Sequence, residues 1–169
     1  MDPIDGTVNL FYGIPHYAVS VACRLDGQSL AGAIYDPNRD ELFSVHRGGG
    51  ATCNNKKIRV SERAKLDEAI LALGFSKGKK TIDKCLELYQ FYGGRVRKLR
   101  AMGSAALDLA YVASGRLDAY IEQGVSIWDV AAGALMVEEA GGVVHMHPGD
   151  QAGKIHLIAS SGRVQLDSV

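Results

Sequence analysis

Two aspartates at the start of the printed sequence have the type and spacing of metal ligands. Asp2 and Asp5 are three residues apart in the string Asp-Pro-Ile-Asp-Gly-Thr. Pro3 restricts the backbone between them, and Gly6 allows a turn directly afterwards. Carboxylates on one stiff bend can share hard divalent cations, and the carbonyl of Ile4 can join them as a neutral oxygen ligand. The spacing therefore predicts part of a metal site.

The residues after Asp5 indicate what such cations would hold. In a turn, the backbone N–H groups of Gly6 and Thr7 form a concave set of donors, which favours an anion. Carboxylates for magnesium beside N–H donors for phosphate indicate phosphate-ester chemistry. The same hexapeptide is also typical of a surface turn, because turns commonly contain Asp, Pro and Gly. The hexapeptide alone leaves both interpretations open.

A third acid far along the chain favours the metal site. Asp129 lies in the first turn of a predicted helix over 126–140, where an acid commonly does no more than complement the helix dipole. Trp128, just before it, is expected to anchor this turn. If the helix begins beside the first motif, Asp129 joins Asp2 and Asp5, and three such carboxylates repel strongly without cations between them. We therefore expect the three to meet around divalent ions.

Composition places the chain among ordinary globular proteins. It has 169 residues, of which 47% are hydrophobic and 22% charged, enough for one domain with a sizeable core. Nineteen basic and nineteen acidic residues give no net charge, so we expect neither a nucleic-acid nor a membrane partner. Three widely spaced cysteines argue against a disulfide framework. With no signal peptide or long apolar run, a cytoplasmic location is expected.

The hydrophobic pattern predicts a β meander followed by alternating helices and strands. Strands are predicted at 17–24, 29–35, 41–47, 51–53, 56–60, 70–75, 96–100, 117–122, 143–146 and 155–160, and helices at 81–92, 104–114 and 126–140. This order predicts an α/β or α+β layered fold with a mixed sheet. We expect a single domain over 1–169, with the meander and metal-binding turn in 1–75 and the second metal motif in 76–169.

Two motifs resemble the signature motifs of a known family. They are Asp2-Pro3-Ile4-Asp5-Gly6-Thr7 with Asn9 and Phe11, and Trp128-Asp129-Val130-Ala131-Ala132-Gly133 running to Glu139-Ala140-Gly141-Gly142. Together they look like the inositol monophosphatase family of magnesium-dependent, lithium-sensitive phosphatases. The segments 32–59 and 103–120 also resemble that family, so the likeness covers most of the chain.

The resemblance implies specific roles in metal binding and catalysis. Asp2, Asp5 and Asp129 match metal-binding carboxylates, and Ile4 matches a residue that contributes its backbone carbonyl. Asp5 and Thr7 are implied to be catalytic, Thr7 by helping to orient the attacking water. The implied reaction is hydrolysis of a phosphate monoester by water that two Mg²⁺ ions activate.

The resemblance also implies a substrate pocket. The residues that would contact the substrate are Gly6, Thr7, Gly103, Ser104, Ala105 and Glu122. Gly6 and Thr7 match the phosphate cradle, and Glu122 matches a carboxylate that binds hydroxyl groups of an inositol ring. Glu122 is the reason to expect a myo-inositol monophosphate as substrate. The family fold is a layered αβαβα sandwich, and a homodimer is implied.

The chain departs from the family pattern at both ends. Family members carry further sequence upstream, including a Glu that completes the first metal site, and the chain after Ser160 looks shorter than the family's final helix. We therefore expect a partial, N-terminally truncated domain whose three remaining acids bind metal more weakly.

Other functions remain open on the sequence alone. A related phosphatase acting on histidinol phosphate, fructose bisphosphate or a nucleotide bisphosphate would use the same motifs. The string Gly74-Phe75-Ser76-Lys77-Gly78 matches the G-x-S-x-G elbow of serine hydrolases, with Ser76 as nucleophile. A catalytically inactive fragment that keeps the fold is the third possibility.

Overall fold

The first part of the chain forms an antiparallel sheet. A computed structural model describes residues 1–149 and 151–166. The sheet contains β1 (Asp2–Asp5), β2 (Ala18–Leu25), β3 (Gln28–Asp36), β4 (Glu41–His46), β5 (Gly50–Cys53) and β6 (Lys56–Lys57), paired in sequence order. A short helix, α1 (Thr7–Phe11), follows β1. This sheet is the predicted meander, preceded by one additional strand.

The second sheet is mixed. Its strands are β7 (Ile70–Phe75), β8 (Lys98–Arg100), β9 (Ala119–Ser126), β10 (Val143–Pro148) and β11 (Lys154–Ser160), in the spatial order β10-β11-β9-β7-β8. Strand β7 runs parallel to β8 and β9, whereas β11 pairs antiparallel with β9 and β10. The connecting helices are α2 (Lys79–Tyr92), α3 (Ala105–Ala113) and α4 (Ile127–Glu139), and a short 3₁₀ turn spans Leu66–Glu68.

The elements stack in layers. Helices α3 and α4 pack against each other between the two sheets, while α2 covers the outer face of the second sheet. The core between the sheets includes Phe43 from β4, Leu109 from α3 and Leu135 from α4. The layers of the described chain are thus the first sheet, the pair α3 and α4, the second sheet and α2, which are four of the five layers of the predicted αβαβα sandwich. The predicted mixed α+β fold class is confirmed. None of the helices formed by these residues is both long and apolar enough to cross a membrane.

Small residues bring α4 close to its neighbours. A Cβ on Gly32 of β3 would lie 2.8 Å from the Cβ of Ala132, and a Cβ on Gly133 would lie 2.5 Å from the Cβ of Leu109. Both distances are shorter than any ordinary contact, so the backbones approach only because these positions are glycine. This packing fixes the start of α4, where Asp129 lies.

The first motif is a strand rather than a bend. Residues 2–5 pair with β2, placing Asp2 opposite Ser20 and Asp5 opposite Ala18, with an irregular register between them. Pro3 is compatible with this position because β1 is an edge strand. The turn itself comes at Gly6, whose φ of +87° favours glycine.

Candidate active site

The candidate site is a cavity bordered by β1, α1, β9 and the first turns of α3 and α4. Its volume is about 470 Å³. Four carboxylates are among its lining side chains, namely Asp5, Asp108, Glu122 and Asp129. Carboxylates from four separate elements therefore meet at one opening.

Asp5 is held in place by the start of α3. Its Oδ2 accepts a hydrogen bond from the Ser104 hydroxyl at 2.6 Å and another from the Ala106 N–H at 2.7 Å. Ser104 is also the N-cap residue of α3. Burial raises the pKa of Asp5 to about 6, and the nearby Asp129 and Asp2 carboxylates add to the increase. Asp5 therefore holds its proton more tightly than an exposed aspartate, and its charged form is unfavourable at neutral pH unless a positive charge lies near it.

Asp129 lies beside Asp2. The Ser126 N–H donates to Asp129 Oδ2 at 3.2 Å, which fixes the side chain at the beginning of α4. Burial raises the pKa of Asp129, and the adjacent Asp2 carboxylate raises it further. The structure therefore brings Asp2, Asp5 and Asp129 together as neighbours. Within residues 1–149 and 151–166, no three His, Cys, Asp or Glu side chains form a closed metal-binding group, so the aspartates make an open arrangement.

Hydrogen bonds around the turn at Gly6 order the remaining residues of the first motif. The Ile4 N–H donates to Asp2 Oδ1 at 3.0 Å, and the Thr7 hydroxyl donates to the Ile4 carbonyl at 2.9 Å. A Cβ on Gly6 would lie only 2.9 Å from the carbonyl oxygen of His16. Gly6 is therefore needed both for its backbone conformation and for the space it leaves.

The predicted pocket segment at Gly103, Ser104 and Ala105 lines the cavity. Its position depends on Asn9, a buried residue of α1 whose Nδ2 donates to the carbonyls of His16 at 2.7 Å and Met102 at 2.8 Å. Asn9 therefore ties α1 to the segment that precedes α3. The position of Asn9 within the first motif is the signal that the sequence offers for this residue.

Glu122 faces the same cavity from β9. It lies opposite Gly74 of β7, where a Cβ would be 1.7 Å from Glu122 Oε2, so glycine leaves the space that the carboxylate occupies. The Tyr120 hydroxyl donates a hydrogen bond to Glu122. Burial raises the pKa of Glu122 to about 7, although the Tyr120 hydrogen bond opposes the increase.

Several residues near the site were not predicted. Asp108 is buried in α3, and its Oδ1 lies 3.5 Å from His16 Nε2. An acid in the apolar stretch of α3 was the available sequence signal. Lys154 lines the cavity and donates to the Ser126 hydroxyl at 2.6 Å, and nothing in its sequence context indicated this. The expectation for Trp128 was wrong: its side chain is 55% exposed and does not anchor the turn.

Ser76 lies where the elbow motif predicts, between a strand and a helix. Its hydroxyl donates to the Thr81 hydroxyl at 3.2 Å. A serine nucleophile needs an adjacent general base, usually a histidine. No hydrogen bond joins Ser76 to a histidine in the described part of the chain, which disfavours the serine-hydrolase interpretation.

The layered fold is shared with solved structures of inositol monophosphatases. The model of the inositol monophosphatase family matches residues 1–167. The chain belongs to that family.

Individual relatives agree with this assignment. The "Nus factor SuhB" of Pseudomonas aeruginosa is 43% identical over 166 residues, covering 95% of this chain and 61% of the relative. The "Inositol-1-monophosphatase" of Mesorhizobium japonicum is 45% identical over 152 residues, covering 89% of this chain and 57% of the relative. The solved inositol monophosphatase of Anabaena matches with a TM-score of 0.88 and 38% identity, covering 95% of this chain and 65% of that structure. The chain thus spans about 60% of the length of these curated relatives.

Proposed function

We propose that this chain hydrolyses a phosphate monoester with the help of Mg²⁺ and that the substrate is a myo-inositol monophosphate. The observation that carries the proposal is the convergence of Asp2, Asp5 and Asp129 beside one cavity. Divalent cations would relieve the repulsion among these acids, and carboxylate oxygens are ligands that Mg²⁺ accepts. The donor set therefore fits magnesium.

Four residues would hold the metal ions: Asp2, Asp5 and Asp129 through carboxylates, and Ile4 through its carbonyl. Both hydrogen bonds to Asp5 end on Oδ2, so Oδ1 remains for a cation. The Ile4 carbonyl accepts one hydrogen bond from Thr7 and keeps a second lone pair. When bound, Mg²⁺ supplies Lewis-acid polarisation of the phosphoryl group and a more acidic water.

Thr7 is assigned the role of orienting the attacking water. Its hydroxyl proton points to the Ile4 carbonyl, so its oxygen is available to accept a hydrogen bond from a water molecule. The backbone N–H groups of Gly6 and Thr7 are assigned to the phosphate oxygens. Thr7 would thereby align the nucleophile with the phosphorus atom.

Glu122 is assigned to the hydroxyl groups of the substrate. It is a buried carboxyl group in the cavity that Asp5 and Asp129 also line. A carboxyl group can hydrogen-bond two adjacent hydroxyls, which suits a polyol ring. Gly103, Ser104 and Ala105 would form the adjoining wall of this pocket.

Phosphate release from myo-inositol 1-phosphate tests the proposal. We expect release to require Mg²⁺, to disappear in Asp5→Asn, and to persist in Ser76→Ala. If the protein instead hydrolyses carboxyl esters, and this activity is unaffected by chelators and lost in Ser76→Ala, the serine-hydrolase alternative would be supported. Release from histidinol phosphate or a bisphosphate in preference to inositol phosphate would favour a related phosphatase.

A homodimer and a cytoplasmic location belong to the same proposal. Apolar side chains at and near α1 support the dimer, because Val8 is 61% exposed and Phe11 is 80% exposed. Exposed apolar groups of this kind are typical of a surface that another element or subunit covers. Sedimentation velocity on the wild type and Phe11→Ser would test it, with dissociation expected in the variant.

A second candidate role comes from the names of the relatives. A relative called a Nus factor is about as similar to this chain as one called an inositol-1-monophosphatase. A role as a Nus factor is therefore a candidate alongside hydrolysis. If both roles exist, Asp5→Asn should lose phosphate release and still complement a strain that lacks its own Nus factor of this type.

A further inference from the structure

The buried hydroxyl group of Tyr120 contacts the carboxyl group of Glu122. The two residues are two positions apart on β9, so their side chains project from the same face of the strand. Tyr120 is only 1% exposed and belongs to the core between the sheets, yet it also lines the active-site cavity. Its hydroxyl group therefore lies where the apolar core meets the cavity.

Small residues on the neighbouring strands leave room for this pair. Tyr120 lies opposite Ala72 of β7 and opposite Ala159 of β11, and Glu122 lies opposite Gly74 of β7. A Cβ on Gly74 would lie 1.7 Å from Glu122 Oε2 and 2.9 Å from the Tyr120 hydroxyl oxygen. The hydroxyl group and the carboxyl group thus meet in space that a glycine leaves free.

The hydrogen bond makes the two oxygens of Glu122 unlike. Oε2 accepts the hydrogen bond from the Tyr120 hydroxyl. Within residues 1–149 and 151–166, Oε1 accepts no hydrogen bond, and it is not one of the fully buried polar atoms that lack a partner, so it is open to the cavity. Its two lone pairs can accept hydrogen bonds from two hydroxyl groups. One oxygen therefore fixes the side chain, and the other is available to a ligand.

The protonation of both groups suits this division. Burial raises the pKa of Tyr120, and the Glu122 and Asp108 carboxylates raise it further, so the phenol keeps its proton and remains a donor. Burial also raises the pKa of Glu122, as do the Asp108, Asp5 and Asp129 carboxylates of α3, β1 and α4. The Tyr120 hydrogen bond opposes this increase. Tyr120 therefore favours the ionised carboxylate, which accepts hydrogen bonds from hydroxyl groups and donates none.

We propose that Tyr120 is a positioning residue that holds the Glu122 carboxylate for the ring hydroxyls of the substrate, and so sets the preference for a polyol phosphate over an ester without hydroxyls. This inference rests on the proposed function. The Tyr120 hydroxyl proton is used in the hydrogen bond to Glu122, so Tyr120 acts through that carboxylate. Its removal should weaken binding of the polyol and leave cleavage of the phosphate ester unchanged.

Two phosphate esters test this role in Tyr120→Phe. myo-Inositol 1-phosphate carries hydroxyls beside the ester, whereas 4-nitrophenyl phosphate carries none. With Mg²⁺, the KM for the inositol phosphate should rise about 5- to 10-fold, because a hydrogen bond to a charged group is lost. The kcat for the inositol phosphate, and both constants for 4-nitrophenyl phosphate, should change by less than about twofold.

The matched control is Tyr111→Phe. It removes another buried tyrosine hydroxyl that donates to a carboxylate, here Asp36 Oδ2 at 3.5 Å. Tyr111 lies on α3 and is not among the described residues that line the cavity. This variant should leave the KM of both esters unchanged. An equal effect of the two tyrosine variants, or an equal rise in KM for both esters in Tyr120→Phe, would overturn the positioning role.

A double-mutant cycle tests whether Tyr120 acts through Glu122. In a Glu122→Ala background, the additional change Tyr120→Phe should raise the KM for the inositol phosphate by less than about twofold. A rise of about 5- to 10-fold in that background would show that Tyr120 affects the substrate by another route, and it would contradict the inference.

A binding measurement without Mg²⁺ or phosphate separates this inference from the proposed function. Backbone amide chemical shifts of Gly74, Gln123 and Gly124 are followed while myo-inositol is added to the metal-free protein. Saturable shifts in the wild type and Tyr111→Phe, with affinity at least about fivefold weaker in Tyr120→Phe, would support the positioning role even if no phosphate ester is hydrolysed. Shifts that are absent from the wild type, or equal affinities in the two tyrosine variants, would overturn it.

Discussion

Replacing Asp5 by Asn should make the metal-free protein more stable. The substitution keeps the shape of the side chain, and the amide oxygen can still accept hydrogen bonds from Ser104 and Ala106. It removes the buried negative charge, which is unfavourable in the absence of a cation. If Asp5 is present to bind metal, the site loses its function while the fold becomes more stable.

The magnitude follows from the pKa of Asp5. Burial raises this pKa from 3.8 to about 6, so the folded state holds the proton more tightly than the unfolded state does. Stability is therefore greatest below pH 3.8 and is lost as the pH rises towards 6. At 1.36 kcal/mol per pKa unit, the loss above pH 6 is about 3 kcal/mol, and at pH 4.5 it is about 1 kcal/mol.

Thermal and urea unfolding in EDTA provide the assay. At pH 7.5, Asp5→Asn should unfold about 6–12 °C higher than the wild type, and the difference should shrink at pH 4.5. The control Asp26→Asn changes an exposed acid in the Asp26-Gly27 turn, a position where asparagine is equally suitable, and should shift the midpoint by less than about 1 °C.

Magnesium should cancel most of this difference in stability. At a concentration about 100 times its dissociation constant, a ligand that binds only the folded state adds about 2.7 kcal/mol. Mg²⁺ should stabilise the wild type and Asp26→Asn by this mechanism and have little effect on Asp5→Asn. An Asp5→Asn variant that is less stable than the wild type in EDTA, or an equal response of both proteins to Mg²⁺, would refute the reasoning.

Two further substitutions test the surroundings of the site. Gly74→Ala places a Cβ 1.7 Å from Glu122 Oε2 and should displace that carboxylate. The KM for the inositol phosphate should therefore rise about tenfold, while the Mg²⁺ affinity measured by titration should not change. An unchanged KM would show that Glu122 does not contact the substrate. The Nε atom of Arg63 lies 2.9 and 3.0 Å from the two carboxylate oxygens of the buried Asp118. Arg63→Ala removes this partner and should lower the free energy of unfolding, measured in urea at pH 7, by about 3 kcal/mol. A loss below about 0.5 kcal/mol would show that solvent replaces the ion pair.

The candidate metal ligands could be proposed from the sequence because the information that indicates them is local. Asp2 and Asp5 are three residues apart, and the position of Asp129 at a helix start follows from the apolar period of α4. The hydrophobic pattern also located most strands and helices to within a few residues. The strand conformation of residues 2–5 was missed, since pairing with β2 determines it and the local Asp-Pro-Gly chemistry favours a turn.

The environment of these acids could not be predicted, because it depends on contacts between distant segments. Asp5 meets Ser104, 99 positions away, only when α3 packs beside β1. Glu122 faces Gly74 because β7 and β9 pair in one parallel register, and a shift by a single residue would turn the carboxylate to the other face.

An anomalous diffraction experiment tests whether the three aspartates bind the metal ions. Crystals soaked in Mn²⁺, a substitute for Mg²⁺ with strong anomalous scattering, would locate the metal ions. We predict at least one peak about 2.0–2.2 Å from carboxylate oxygens of Asp2, Asp5 and Asp129. The proposed metal site would be contradicted if the crystallised protein hydrolyses phosphate esters but the anomalous peaks lie elsewhere and Asp129 contacts none of them.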